Sequence, residues 1–128
     1  MTTYDEQLLT RVFDSVTDTF AINDREFKII KCNQAMIDLF QLPEQQIIGR
    51  PCYDVFYHRT AVCEECHVQE VFRTGESHML EKNIALPDGS QRIFEVHSYP
   101  IKDRTGLTIQ AVEHAQDITK RKNLETQL

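Results

Sequence analysis

Two glycine-bearing turns divide the C-terminal third of the chain into alternating runs, and they restrict the fold more than any other feature. Pro87-Asp88-Gly89-Ser90 and Asp103-Arg104-Thr105-Gly106 each supply a residue at ease at positive φ, as tight connections between antiparallel strands require. The spacing predicts three strands joined as a meander, roughly Ser77 to Leu86, Gln91 to Ile101 and Leu107 to Gln116. In the first, Leu80, Ile84 and Leu86 share one face while Glu81 and Asn83 share the other, the period of a sheet wetted on one side. The apolar face must then be covered by other elements.

The N-terminal two thirds supply that cover. Thr3 and Glu6 make a capping box, after which Leu8, Leu9, Val12, Phe13 and Val16 recur at helical spacing and predict a leading amphipathic helix. Thr19 to Asn23 and Phe27 to Cys32, reversed at Asp24-Arg25, read as a hairpin. Asn33 is a helix N-cap ahead of a stripe of Met36, Leu39 and Phe40, with Pro43 beyond the end. Pro43, Gly49 and Pro51 then allow only brief helical turns. A longer helix is expected over Glu64 to Thr74, with Glu64 and Glu65 in its first turn, Val68, Val71 and Phe72 inward, Arg73 in its last turn and Gly75 at its end.

With 128 residues and 41% hydrophobic content, the chain is one domain able to bury a core. Its 14 basic and 20 acidic residues give a net charge of −6, and no basic stripe precedes Lys120-Arg121-Lys122, which argues against a nucleic-acid partner. No apolar run is long enough to span a bilayer and no charged-then-apolar leader is present, so direct membrane insertion and export are not expected and the location implied is cytoplasmic. Four cysteines are too few for a disulfide scaffold and read as free thiols or ligands. No nucleophile elbow, phosphate-binding glycine loop, His-Glu-x-x-His or kinase motif occurs, so the chain is not expected to be an enzyme.

Several local patterns, in order, carry a family likeness: Phe13-Asp14-Ser15-Val16-Thr17-Asp18, Cys32-Asn33-Gln34-Ala35, Ile47-Ile48-Gly49-Arg50, Gly89, Pro100-Ile101, Gly106 and Asp117-Ile118-Thr119. From about Leu8 to Lys122 the sequence resembles a PAS domain, the sensory module of bacterial histidine kinases, cyclic-dinucleotide enzymes and transcription regulators. The resemblance implies an α+β fold: a five-stranded antiparallel sheet in spatial order 2-1-5-4-3, short helices on one face and a pocket between the layers. It implies a flanking helix over residues 1–17, the PAS domain over 18–119, and the start of a signalling helix over 120–128. It also implies that Asp117 ties the last strand to the departing helix, although Asp117 and Thr119 also suit simple capping. Leu9, Val12 and Val16 fit a short a-d-a seam, which suits a parallel homodimer through the flanking helices, and the resemblance implies a C-terminal effector domain of a larger receptor, for instance in a two-component system. A module serving only dimerisation, with no cofactor, is the alternative.

The chemistry concentrates between Pro51 and His67. Cys63 and Cys66 have the two-residue gap that brings both sulfurs to one ion, Cys52 can join them from the preceding segment, and His67, His58 or Cys32 can complete the set. Zinc and an iron–sulfur cluster both favour such donors. A second Cys-x-x-Cys is missing, so a redox-responsive pair and plain packing residues stand as alternatives. Cys52 follows Gly49 much as in light-oxygen-voltage domains, but the Asn, Arg and Gln that hold flavin there are absent. Haem would need an axial ligand, for which His78, His97 and His114 are the strand candidates. For a small-molecule pocket, Tyr57, Phe72, Tyr99 and His114 combine apolar walls with polar handles.

Overall fold

The computed structural model describes residues 4–64 and 66–127. Thr3 of the expected capping box and Glu65 of the expected helix start lie outside the described residues. The elements are α1 (Tyr4–Ser15), β1 (Thr19–Asp24), β2 (Ile29–Cys32), α2 (Gln34–Phe40), a 3-10 turn (Glu44–Gln46), α3 (Cys52–Tyr57), α4 (His67–Thr74), β3 (His78–Ala85), β4 (Gln91–Lys102), β5 (Thr108–Asp117) and α5 (Thr119–Gln127). The strands form one antiparallel sheet in the order β2-β1-β5-β4-β3. This is the α+β arrangement expected from the sequence, with the N-terminal helix in place.

Local chemistry explains most boundaries. Gly89 and Gly106 sit at φ 87° and 91° in the two meander turns, where a side chain would strain the backbone. Asn33 caps α2 by accepting from the Met36 N–H, and Gly75 closes α4 in the left-handed region. Two expectations need correction. The second strand starts at Ile29 rather than Phe27, because Phe27 holds a positive φ of 67° in a turn built on the Asp24 carboxylate. The helix expected from Glu64 starts at His67, with Cys66 extended at its N-cap and Glu64 in the turn before it.

Strand parity places the core. Ala21, Asn23, Ile84, Phe94, Val96, Ser98, Ala111 and Glu113 are buried on the inner face, beneath Met36, Val55, Val68 and Val71 of the helices. The opposite face of the sheet carries Phe20, His97, Tyr99 and His114, and Phe13 of α1 packs on Phe20 with ring centroids 5.7 Å apart. Among the described residues no helix is long and apolar enough to cross a membrane.

Candidate functional site

Three segments converge on one small cavity between the helical layer and the sheet. The first begins at Cys52, whose N–H is held by the Phe27 carbonyl at 2.8 Å after Pro51 has set the extended backbone that α3 needs at its start. His58 ends α3 at a φ of 53°, turning the chain into the loop that carries Cys63 and Cys66. His67 then opens α4. The sheet provides the floor through Glu113 of β5 and Lys82 of β3. Cys52, Tyr57, Cys63, Cys66, His67, Lys82 and Glu113 all border this cavity, whose volume is about 10 Å³. That is room for about one water-sized occupant. A second cavity of about 20 Å³ shares Phe56, Tyr57 and Glu113 with it and is otherwise apolar except for Thr19.

Glu113 organises the polar side of the site. Its two oxygens accept from Asn23 Nδ2 at 2.5 Å and His67 Nε2 at 3.1 Å, and all three side chains are buried. An ionised carboxylate only accepts, so this contact keeps a proton on His67 Nε2. His67 Nδ1, Asn23 Oδ1 and Ser98 Oγ have no hydrogen-bond partner among the described residues. Such buried polar atoms are few in folded proteins. Lys82 stands 5.3 Å above the Tyr57 ring.

Burial governs the thiols. It pushes Cys52 well above the ordinary thiol value, with the Glu113 charge and the neighbouring sulfurs adding to the effect. Cys66 and the Tyr57 hydroxyl are raised in the same way, with burial the main cause. These sulfurs are therefore neutral thiols at physiological pH. Cys63 is half-buried, whereas Cys52 and Cys66 are fully buried. As they stand, no three His, Cys, Asp or Glu side chains among the described residues are disposed to hold a metal ion.

The structure thus brings Cys52, Cys63, Cys66 and His67 to one cavity and adds Tyr57 to its wall. The other sequence candidates lie elsewhere. Tyr99 and His114 are on the opposite face of the sheet, because they alternate with the inward Ser98 and Glu113. His114 is bonded to Asp18 at 2.8 Å and stacked on Phe20, and His97 is bonded to Glu95 at 2.7 Å. Phe72 packs edge-on to Phe27 beneath Arg25. Cys32 is buried in the main core, His58 is exposed, and His78 meets the Thr74 hydroxyl. A larger groove between α1 and α2, about 470 Å³, is open and holds none of the predicted site residues. Sequence reasoning missed Glu113 and Lys82. The parity that turns Leu80 and Ile84 inward also turns Lys82 inward, so that residue was within reach.

The site is also tied to the C-terminal exit. Four residues after Glu113, the Asp117 carboxylate accepts from the Thr119 N–H and hydroxyl at 3.0 and 2.6 Å and pairs with Arg92 at 2.7 Å. Thr119 Oγ1 in turn accepts from the Ile93 N–H at 2.8 Å, and the Ile118 N–H reaches the Ile93 carbonyl at 2.8 Å. Asp117 both caps α5 and ties it to β4.

Comparison with known proteins agrees with this architecture. A family profile described as the PAS fold matches residues 13–123. Among solved structures, a PAS domain from Colwellia psychrerythraea is 23% identical, with 91% of this chain and 99% of that one covered and a TM-score of 0.72. The PAS domain of Bordetella pertussis BvgS is 18% identical over 96% and 93% of the two chains, with a TM-score of 0.65. Vibrio cholerae VqmA, described as a LuxR-type receptor, is 20% identical over 94% of this chain and 53% of its own, with a TM-score of 0.73. Curated proteins give no match.

Proposed function

The chain belongs to the PAS fold family, and on that premise we propose that it is a sensory and regulatory module of signal transduction whose input is the cysteine-lined cavity. A change there, whether an ion or small ligand bound or a thiol oxidised, shifts the packing of the helical layer against the sheet. The exit helix relays the shift to an effector domain of the histidine-kinase or cyclic-dinucleotide type in the cytoplasm. One observation carries the reading: Glu113 borders the cavity and lies on the strand that ends, at Asp117, where α5 is docked. A ligand moves such an equilibrium only by binding the two arrangements unequally. The likeness to VqmA, itself described as a receptor, supports a sensory role.

The test is hydrogen exchange across residues 118–127 of the reduced protein, before and after alkylation of the cavity thiols. A relay requires α5 exchange to change by tenfold or more while β1 and β2 keep their protection. Unchanged exchange in α5 after complete modification of Cys63 and Cys66 sinks it.

The second reading, a homodimerisation module with no cofactor, is favoured by a separate observation. Leu8, Leu9 and Val12 of α1 are exposed along one stripe, as a helical seam between two copies requires. The two readings are compatible, since a sensor relaying through flanking helices works as a dimer.

A further inference from the structure

We infer that the outer face of the sheet makes the two flanking helices responsive to pH: proton uptake by the stacked pair His97 and His114 shifts anchorage from α5 to the end of α1. The inference concerns the face opposite the cavity and stands whatever the cavity holds.

A continuous row of contacts joins the two helices. Phe13, near the end of α1, packs on Phe20 of β1 with ring centroids 5.7 Å apart, and Phe20 stacks on His114 of β5 at 4.6 Å and 14°. His114 stands directly opposite His97 of β4 in the strand register, with the two rings 5.9 Å apart. His97 Nε2 donates to Glu95 Oε1 at 2.7 Å, and the other oxygen of Glu95 accepts from Arg121 of α5 at 3.2 Å. His114 Nε2 donates to Asp18, in the connection between α1 and β1, at 2.8 Å. One histidine is thus tied to the entry of the sheet and the other to its exit.

Charge sets the direction. An ionised carboxylate only accepts, so each neutral ring keeps its proton on Nε2 and takes up a second at Nδ1. Histidine is the side chain that changes charge between about pH 5 and 8. Glu95 is the shared member: the His97 hydrogen bond first and Arg121 second hold it below the ordinary carboxylate value, so it stays ionised across that range. With His97 neutral, Glu95 lends its full charge to Arg121. With His97 protonated, two cations divide one carboxylate and the Arg121 contact weakens. Glu81, directly across from Glu95 in the register, is taken by Lys122 at 2.9 Å, and Glu125 lies 3.8 Å from both Arg121 and Lys122. His114 responds in the opposite sense. No lysine or arginine shares Asp18 among the described residues, so the charged ring strengthens that bond and gains a cation–π contact with Phe20. Lys31, above Phe13, and Tyr99, stacked on His97, are the other titratable groups along the row. Once charged, the two histidines repel across the strand pair, so their protons are taken up as a coupled pair. The first turn of α5 stays tied through Thr119, which confines the loosening to the turns beyond it.

Linkage supplies the test, because a proton that weakens the Arg121 contact must itself bind more readily when Arg121 is removed. NMR titration of the histidine rings is compared in the full chain, Arg121→Gln and Lys122→Gln, and α5 holds no buried residue that either change would disturb. The His97 midpoint should rise by about 0.2 to 0.7 pH unit in Arg121→Gln. It should rise less in Lys122→Gln, which removes the same charge from the same helix without touching Glu95. Hydrogen exchange over residues 120–127, corrected for its intrinsic pH dependence, should be about two- to fivefold faster at about pH 5.5 than at about pH 7.5, while β4 keeps its protection. Residues 10–15 should slow over the same interval. The α5 response should vanish in His97→Gln and the α1 response in His114→Gln. A His97 midpoint unmoved by Arg121→Gln, or moved as far by Lys122→Gln, would overturn the inference. So would α5 exchange independent of pH, a pH response that survives in His97→Gln, or α1 and β4 loosening together with α5, which would mark general acid destabilisation.

Discussion

Asp88, Asp103 and Asp117 each stand two residues before a Ser or Thr, and all three use the same device. Each carboxylate accepts from the N–H and the hydroxyl of that later residue, with hydroxyl contacts of 2.6 Å in every case. All three lie below the ordinary aspartate value of 3.8. The Ser90 hydroxyl is the main cause for Asp88 and the Thr105 hydroxyl for Asp103. At Asp117 burial is the largest single influence and pushes upward, but Thr119 and Arg92 together outweigh it. Because the folded values are depressed, the unfolded chain takes up protons first on acidification. The stabilisation is thus fully present above the ordinary value and drains away as pH falls below 3.8 towards the folded values. Urea midpoints measured from about pH 5 down to about pH 2.5 should fall, and fall less steeply when all three are changed to Asn. Equal slopes would show that these turns do not set the acid limb. Asn33 acts through a larger network: Oδ1 accepts from Phe20 and Met36 N–H groups, and Nδ2 donates to the carbonyls of Phe13, Val16 and Asp18. Asn33→Ala removes a helix cap, about 1 kcal/mol, and leaves buried partners unpaired at about 1 to 3 kcal/mol. A loss of about 3 kcal/mol in chemical denaturation is expected, and a loss under about 1 kcal/mol would mean water replaces the side chain.

The elements most legible in the sequence were those whose limits are set by neighbouring residues. The meander strands begin and end within a residue or two of expectation because Gly89 and Gly106 fix their turns locally. The start of α4 was not legible. Glu64 and Glu65 favour a first helical turn, but in the fold His67 is drawn to Glu113, 46 residues away, and the helix starts there. His114 of β5, a pocket candidate in the sequence, is misplaced for a related reason. It turns outward and stacks on Phe20, and Val112 on the same face pairs across from Ile22. Ala111, Glu113 and Ala115 turn inward, small alanines flanking a carboxylate that only its tertiary partners make tolerable. The cysteine cluster was readable from spacing, but its floor of Glu113 and Lys82 was not. At this scale α5 invites a test, because its attachment rests on few contacts: Thr119 to Ile93, Arg121 to Glu95 at 3.2 Å and Lys122 to Glu81 at 2.9 Å, with no buried residue in the helix itself. The exposed ion pairs contribute little. Thr119→Val removes an acceptor for the Ile93 N–H and a donor to Asp117, about 1 kcal/mol each. Exchange across residues 120–127 should then speed up about 10- to 30-fold while β4 keeps its protection. Equal rates in the parent and the variant would place the attachment of α5 elsewhere.

For the whole molecule, the two flanking helices meet the sheet in different ways. α1 meets the outer face only near its C-terminal end, through Phe13 on Phe20 and the Asn33 network, while α5 leaves from the end of β5. A relay through both helices requires that neither be saturated by contacts within the chain. α1 meets this condition, since Leu8, Leu9 and Val12 remain 45%, 67% and 54% exposed. Covering them in a seam between two copies would stabilise the pair by about 1 kcal/mol per side chain, or about 6 kcal/mol for both copies. Association costs at least about 4 kcal/mol in lost translational and rotational freedom. The balance is slight, so α1 alone supports only weak pairing, and further affinity must come from α5, which exposes Leu124. Sedimentation equilibrium on this chain should therefore give a weak monomer–dimer equilibrium, with a Kd of about 1 mM. Leu9→Glu places like charges opposite each other in that seam and should leave only monomer, with hydrogen exchange in β4 and β5 unchanged because Leu9 makes no core contact. A variant that still pairs as strongly as the parent would move the seam off α1 and leave the outer sheet face, around Tyr99 and Ile109, to carry it.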